Sequence, residues 1–435
     1  MMNRRHALQL MLATSVSVGA LTKAAFAEMA PAIDQPVTIS FYDYNLASAG
    51  LGADATNELI ANFTKANPKV TVNAIGVASN QILARVQADI VAGQQPDVAQ
   101  MVFRDMIYIA EDLGAVAFED IATPDELKEL FDGMLPAGLE LGRIDGKTYG
   151  LAFTFSTPIL YINATLFKAA GLDPDKPPKT WADVKAAALA IQEKTGKAGF
   201  FAGAYGPADG TFVYQAILMS NGGKVRDGDT LTFASPEGIE AVKMLRDLTD
   251  SGAQPHLDVA SPSDVMAAGN LGMFLYTSAV QSSYSKSSAG KWDLRVAPMP
   301  SFGDKPTAPT NSGSALFILS QDPVKQRASF ELLKSLTSKE GYTIITSKIG
   351  YLPLRLDIVD DPNYLGPWTK DHPLIRPNLE QLARLTPNVA FGGPNYRQVE
   401  NMMKDAMVEA VFGKGDVTDV LTTAQTNAQA LYVAG

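Results

Sequence analysis

The sequence predicts an α/β protein with two lobes, and three observations support this fold class. Segments in which apolar and polar residues alternate, such as residues 36–42, are followed by segments with helical spacing of apolar residues, such as 55–66. Strands that alternate with helices indicate a parallel sheet covered on both faces. The 435-residue chain exceeds the size at which one hydrophobic core stops growing. We therefore expect two cores, held without disulfides because the chain has no cysteine.

The first part of the chain supplies the alternating elements. Alternation predicts a strand at 36–42, two further segments at 69–75 and 96–102 are interpreted as strands, and helical spacing predicts helices at 55–66 and 82–92. Ligands of such sheets bind outside the carboxyl ends of the strands. We therefore expect a site formed by the loops at residues 42–48, 77–80 and 103–105.

The second part begins near an Asp-Gly turn at 145–146 and adds capped helices. Thr180 and Ser235 are the predicted cap residues of helices at 181–194 and 236–251. The apolar segments 151–155, 294–298 and 348–353 are interpreted as crossings between lobes. The predicted division is lobe I at 28–149 and 297–345, and lobe II at 150–296 and 346–435.

The first 27 residues have the features of an export signal. Arg4 and Arg5 precede a largely apolar stretch at 7–20, and residues 25–27 place alanine at both positions that a signal peptidase reads. The stretch is too short and too polar to span a membrane. We expect export by the Sec or the twin-arginine route, since the arginine pair suits both.

Charge and histidine usage exclude several functions. A formal net charge of −10, without a long basic run, argues against nucleic acid as a partner. Outside the signal only His256 and His372 remain, and neither has a second histidine or a paired carboxylate at metal-ligand spacing. No motif typical of a nucleophile elbow, a P-loop or a dinucleotide site is present. We expect no catalytic residue, no metal and no cofactor.

Aromatic and small polar residues in turn-rich loops favour a binding function instead. A polar solute with apolar ring faces is held by aromatic stacking and a few directed hydrogen bonds. The candidates for such contacts are Tyr42, Tyr44, Phe155, Ser156, Tyr205, Phe212, Tyr276 and Tyr351.

Several segments resemble the sugar-binding family 1 of extracellular solute receptors, and within it the glycerol-3-phosphate receptors. They occur in the family's order across most of the chain, at residues 95–100, 155–163, 167–174, 178–181, 296–300, 312–315 and 350–353. The resemblance implies a periplasmic-binding-protein type II fold, with hinge crossings between two lobes that close on a solute. It also implies delivery of the solute to the permease subunits and ATPase of an ABC transporter in the inner membrane, by a periplasmic, monomeric protein.

The resemblance also implies particular solute contacts. The family's contact positions fall here on Ser156, Gly313, Tyr351 and Arg397, and a further hydroxyl position falls on Thr277 or Ser278. This chain departs from the family at Ala78-Ser79, where a tyrosine is usual, and at Phe103-Arg104, where a glutamate is usual. Tyr205 and Phe212 stand near the place of a tryptophan pair. A carbohydrate, a polyol and a glycerol-phosphate-type solute therefore all remain open, and a secreted carbohydrate-active enzyme is the alternative.

Overall fold

A computed structural model describes residues 31–432, except 48–49, 207–209 and 257–260. The predicted export signal lies outside the described residues. Within the described part, no helix is both long and apolar enough to cross a membrane.

Lobe I is built on a five-stranded sheet with the strand order β2-β1-β3-β13-β6. The three predicted strands are confirmed as β1, β2 and β3, which run parallel, whereas β13 runs antiparallel to β3 and β6. The carboxyl ends of three parallel strands therefore meet at one edge. The strands of this sheet are β1 Val37–Asp43, β2 Val70–Gly76, β3 Val98–Val102, β6 Gly150–Ser156 and β13 Ser312–Ile318.

Lobe II is built on a four-stranded sheet with the order β12-β7-β11-β8. Strand β7 is antiparallel to both neighbours, and β11 is parallel to β8. Two small hairpins, β4–β5 and β9–β10, complete the described strands. The strands are β4 Arg143–Ile144, β5 Lys147–Thr148, β7 Pro158–Asn163, β8 Ala198–Ala202, β9 Arg226–Asp227, β10 Thr230–Leu231, β11 Leu271–Thr277 and β12 Leu294–Ala297.

Helices cover both sheets, and the predicted caps are confirmed. Thr180 accepts from the Asp183 backbone N–H at 3.2 Å, and the Asp183 carboxylate accepts from the Thr180 N–H at 2.9 Å. Ser235 accepts from the Gly238 N–H at 3.2 Å. Such caps satisfy backbone donors that a helix start leaves open. The described helices are α1 Leu51–Ala66, α2 Ile82–Val91, α3 Met106–Glu111, α4 Pro124–Phe131, α5 Pro136–Leu139, α6 Ala164–Ala169, α7 Trp181–Thr195, α8 Gly210–Ser220, α9 Pro236–Asp250, α10 Pro262–Ala267, α11 Gln281–Ser288, α12 Pro323–Leu336, α13 Lys339–Ile344, α14 Gly366–Asp371, α15 Arg376–Gln381, α16 Tyr396–Phe412 and α17 Val417–Leu431.

The strand pairing and the two apolar cores place the lobe boundaries at different residues from those predicted. Strand β6 hydrogen-bonds inside the lobe I sheet, so the chain leaves lobe I after Ser156 and not at residue 150. It returns at Ser312, where β13 begins, and not at residue 297, which ends a lobe II strand. The apolar run of β6 is fully buried, and composition alone does not separate a central strand from a crossing.

The last lobe boundary also differs from the prediction. Leu352, Leu354, Leu365 and Leu382 pack in the lobe I core, although residues 346–385 were expected in lobe II. The crossing predicted at 348–353 therefore lies inside lobe I. The last crossing falls between Leu385, in the lobe I core, and Phe391, in the lobe II core. This segment has no regular structure, and periodicity is informative only for helices and strands.

Candidate functional site

A cavity of about 290 Å³ lies between the lobes. Side chains of both lobes line it, and they are mostly hydroxyls, amides and aromatic rings. The lining residues are Tyr44, Ser79, Asn80, Val102, Phe103, Arg104, Ser156, Thr211, Phe212, Tyr276, Thr277, Ala279, Val280, Asn311, Ser312, Gly313, Tyr351 and Asn388.

Residues that follow the parallel strands of lobe I form one side of the cavity wall. Tyr44 follows β1, Asn80 follows β2, and Phe103 and Arg104 follow β3, all at the carboxyl ends of these strands. This is the edge at which open α/β sheets bind ligands, as the sequence predicts. Tyr351 joins the same wall because the next residue, Leu352, donates its backbone N–H to the Phe155 carbonyl at 3.0 Å.

Tyr44 belongs to a set of neutral polar side chains joined by hydrogen bonds, which we call the hydroxyl network: Tyr44, Gln100, Thr154 and Ser314. The Tyr44 hydroxyl lies 2.8 Å from Thr154 Oγ1 and donates to Ser314 Oγ at 3.1 Å. Gln100 Nε2 donates to both of these hydroxyls at 2.9 Å. Gln100 Oε1 accepts from the Tyr44 backbone N–H at 3.0 Å. Each member therefore has a partner, which fixes the Tyr44 ring before any solute arrives.

Gly313 brings bare backbone to the cavity wall. Its φ of 107° lies in the region that L side chains rarely adopt. A Cβ at this position would lie 2.1 Å from the Thr154 carbonyl oxygen. The register of β13 against β6 shifts between Ser314 and Ala315, directly after this glycine. A β-bulge of this kind bends the strand and redirects nearby side chains, as is common beside binding sites.

Asp43, the last residue of β1, is fully buried immediately before Tyr44. Its Oδ1 accepts from the Leu46 backbone N–H at 2.9 Å, which fixes the turn after the strand. Burial raises the pKa of Asp43 to about 7, because removal from water disfavours the carboxylate. Hydrogen bonds from backbone N–H groups oppose this shift only in part.

Lobe II contributes an aromatic ring and a cross-lobe hydrogen bond. The Tyr276 ring stacks on Phe274 with ring centroids 4.8 Å apart. Thr277 Oγ1 donates to Ser156 Oγ at 2.7 Å, and both residues line the cavity. Ser278 instead donates its backbone N–H to the Thr157 carbonyl at 2.9 Å and does not line the cavity. Of the two residues that the sequence does not separate, Thr277 is the one at the wall.

Charged groups lie at one side of the cavity. Arg104 lines it. Burial raises the pKa of nearby Glu400, and the hydrogen bond from Thr211 and the charge of Arg104 oppose this rise only in part. Glu400 Oε1 accepts from Thr211 Oγ1 at 2.7 Å. Arg397 does not line the cavity; its Nη2 donates to both carboxylate oxygens of Asp105, at 3.0 and 2.9 Å.

The structure brings six of the ten predicted site residues to the cavity and leaves four elsewhere. Those at the wall are Tyr44, Ser156, Phe212, Thr277, Gly313 and Tyr351. Besides Ser278 and Arg397, the other two lie in packed interiors. Tyr42 donates to Asp89 Oδ2 at 2.6 Å, and the Tyr205 hydroxyl accepts from Gln254 at 2.9 Å.

Sequence reasoning does not select Asn80, Thr211, Asn311 and Asn388, and it treats Arg104 only as a departure from the family. Asn80 lies in the predicted loop at 77–80, so the strand-end rule alone could have found it. Asn311 and Asn388 lie next to crossings, and the Asn388 backbone N–H donates to Asn311 Oδ1 at 2.8 Å. Only the fold shows that these two crossing segments run side by side.

The remaining predictions of chemistry concern histidines and metals. The His372 ring stacks on Trp368 at a centroid distance of 4.3 Å, and the His256 ring lies 5.2 Å from that of Phe412. Neither histidine lines the cavity. Among the described residues, no group of three or more histidine, aspartate or glutamate side chains is arranged to hold a metal ion.

A second cavity, of about 350 Å³, adjoins the first. Phe103, Asn311 and Asn388 line both cavities. The space between the lobes therefore continues past Phe103.

Two α/β lobes around a polar cleft define a protein that binds a small solute. Accordingly, a family model described as bacterial extracellular solute-binding protein matches residues 58–377, and the chain belongs to this family. A protein of Brucella abortus (strain 2308), named as a binding protein, is 27% identical over 377 residues, covering 85% of this chain and 87% of the relative. The sn-glycerol-3-phosphate-binding periplasmic protein of Escherichia coli (strain K12) is 28% identical over 222 residues, covering 48% and 50%.

Solved structures share the fold over nearly the whole chain. The cyclic α-maltosyl-1,6-maltose binding protein from Arthrobacter globiformis superposes with a TM-score of 0.80 at 24% identity, covering 91% of this chain and 99% of that one. UgpB from Mycobacterium tuberculosis in complex with glycerophosphocholine gives a TM-score of 0.75 at 22% identity, covering 91% and 98%. These likenesses confirm the predicted two-lobed fold.

Proposed function

We propose that this protein is the periplasmic substrate-binding component of an ABC importer, and that its solute is a carbohydrate, a polyol or a glycerol-phosphate derivative. Its similarity to an sn-glycerol-3-phosphate-binding periplasmic protein supports this proposal, as does its structural likeness to proteins that bind a cyclic maltosyl-maltose and glycerophosphocholine. In this role the protein delivers the captured solute to permease subunits in the membrane.

The observation that carries the proposal is the composition of the cleft wall. Ser156, Thr211 and Thr277 offer hydroxyls, and asparagine side chains offer both donors and acceptors. Tyr44, Phe212, Tyr276 and Tyr351 offer ring faces. Alternating hydroxyls and C–H faces of a polyhydroxylated solute require this combination of groups.

Binding without chemistry accounts for the arrangement. The two lobes carry opposite walls, so a hinge movement at the crossings opens the cleft to solute and closes it with exclusion of water. A glycosidase requires two carboxylates that flank the scissile bond. Among the residues that the structure describes, no aspartate or glutamate lines the first cavity. We therefore propose a receptor in preference to a secreted carbohydrate-active enzyme.

A glycerol phosphodiester is the second candidate solute, because Arg104 lines the cavity. A guanidinium suits a phosphate oxygen pair, and an acidic protein binds an anion through such a local group. The two solute classes are distinguishable: Arg104→Met should weaken the binding of an anionic solute strongly and that of a neutral sugar little.

A thermal-shift screen over sugars, polyols and glycerol phosphodiesters, followed by calorimetry, tests the proposal. A solute that binds the native state only raises the melting temperature by mass action. Tyr351→Ala should abolish the shift, whereas Tyr149→Ala, at another partly buried tyrosine of the same core that does not line the cavity, should retain it. Hydrolysis of an oligosaccharide by the purified protein, or an equal loss in both variants, would contradict the proposal.

A further inference from the structure

Four side chains join the lobes beside the cleft, and we call them the interlobe cluster: Asp105, Tyr108, Tyr396 and Arg397. Asp105 lies between β3 and α3 of lobe I, and Tyr108 lies on α3. Tyr396 and Arg397 open α16 of lobe II. None of the four lines the solute cavity.

The cluster centres on the Asp105 carboxylate. Tyr396 donates its hydroxyl to Asp105 Oδ1 at 2.7 Å. Arg397 Nη2 lies 3.0 and 2.9 Å from the two carboxylate oxygens, and its Nε donates to the Tyr396 hydroxyl at 3.0 Å. The Tyr108 and Tyr396 rings stack with centroids 5.7 Å apart. Charge-assisted bonds of this geometry are among the stronger contacts in proteins.

Both sides of the cluster are anchored within their own lobes. Helix α16 buries Val399, Met403 and Met407 in the lobe II core. Phe103 and Ile109, on either side of Asp105, are buried in the lobe I core. The ion pair therefore forms only when the two lobes have the spacing seen here, and a rotation of one lobe would separate it.

We propose that the lobe spacing seen here is the closed arrangement, and that the interlobe cluster is a latch that favours it in the absence of solute. The latch sets how often the empty protein is in its binding-competent form, and so it scales the apparent affinity without a contact to solute. Only this last consequence rests on the proposed function; the effect on lobe spacing does not.

The different burial of Asp105 and Arg397 predicts that substitutions of these two residues differ in their effect on lobe spacing. The Asp105 side chain is 1% exposed, whereas that of Arg397 is 45% exposed. Removal of the arginine leaves a buried carboxylate without its cation in the closed form, which is costly. Removal of the carboxylate leaves an arginine that water still solvates. Arg397→Met should therefore open the lobes more than Asp105→Asn does.

The absence of cysteine allows a direct measurement of lobe spacing. Val91→Cys on lobe I and Glu193→Cys on lobe II place spin labels at two exposed sites, at 89% and 71% exposure. Pulsed dipolar spectroscopy of the solute-free protein then gives the populations of closed and open forms. We expect Arg397→Met to lower the closed-to-open ratio by about tenfold or more and Asp105→Asn by less.

Arg376→Met is the matched control. Its side chain is 44% exposed and its guanidinium pairs with Asp360 at 2.8 Å, but Arg376 follows Ile375 of the lobe I core. It should leave the distance distribution unchanged.

An unchanged distribution in Arg397→Met as well would overturn the latch. So would a loss of solute binding in Arg397→Met with wild-type lobe spacing, because Arg397 would then act as a solute contact. A solute screen without hits would contradict the proposed function and leave these distances unaffected.

Discussion

The hydroxyl network and the interlobe cluster stabilise the same cleft in different ways. The hydroxyl network is neutral, lies within lobe I, and has all four side chains hydrogen-bonded to one another. The interlobe cluster is charged and takes its residues from both lobes. One is complete in lobe I alone, and the other exists only when the lobes meet.

This difference separates the shape of the cleft wall from the closure of the cleft. A network with every donor paired costs little reorganisation when a solute binds, so it contributes to affinity by preorganisation. A cross-lobe ion pair changes the population of the closed form instead. Substitutions in the first set should alter stability and intrinsic affinity, whereas those in the second should alter lobe spacing.

The largest loss should follow a change beside the hydroxyl network, Gly313→Ala. The new methyl group would meet the Thr154 carbonyl oxygen at 2.1 Å, and φ is 107° there. Relief requires β6 and β13 to separate at the bulge, which would misplace Thr154 and Ser314. We expect about 4–5 kcal/mol of destabilisation, measured by urea unfolding, with loss of solute binding.

Gly303→Ala controls for backbone conformation. Gly303 has a φ of 59°, and a Cβ there would meet nothing within 4 Å. It should cost about 1 kcal/mol, the strain of a left-handed alanine alone. If the two variants were equally stable, close approach to Thr154 would not be the constraint on Gly313.

A smaller, pH-dependent effect should follow Asp43→Asn at the strand end that positions Tyr44. The folded pKa of Asp43, about 7, lies above the unfolded value, so the folded state binds more protons between about pH 4 and pH 7. The stability that this group contributes is full below pH 4 and is lost as the pH rises through 7. Wild type should lose on the order of 3 kcal/mol across this window.

The neutral amide removes the titration, so the unfolding free energy of Asp43→Asn should depend less on pH. Asp132→Asn provides the control, because Asp132 is exposed and lies outside the cavity wall. Its pH profile should follow that of wild type. Identical profiles for all three proteins would place the Asp43 titration outside the range from pH 4 to pH 7.

Much of the fold could be predicted because its signals are local. Strands β1 and β2 alternate apolar and polar residues, and Thr180 and Ser235 carry cap signals that need no tertiary information. The lobe boundaries could not be placed in this way. Leu352 and Leu382 are apolar residues in short or irregular segments, and only packing decides which of two cores receives them.

The same distinction between local and tertiary signals applies to the residues of the candidate site. Tyr44 and Gly313 were found, respectively, from a strand end and from a family segment, and both line the cavity. Arg397 also followed from the resemblance, but the structure pairs it with Asp105, a residue 292 positions away in the chain. No spacing rule connects such distant residues. Asn311 and Asn388 were missed for the same reason, because each reaches the cleft through a crossing.

The smallest effect should follow Tyr44→Phe, which removes one hydroxyl from the hydroxyl network. Thr154 and Ser314 keep their hydrogen bonds to Gln100 and to each other, so the loss of stability should be about 1 kcal/mol. Tyr205→Phe is matched, since it removes a buried hydroxyl that accepts from Gln254 inside lobe II. Both variants should unfold at similar urea concentrations, but only Tyr44→Phe should bind solute more weakly, because its ring is no longer fixed at the wall. Unchanged affinity with wild-type lobe spacing would show that the hydroxyl network stabilises lobe I without preorganising the cleft.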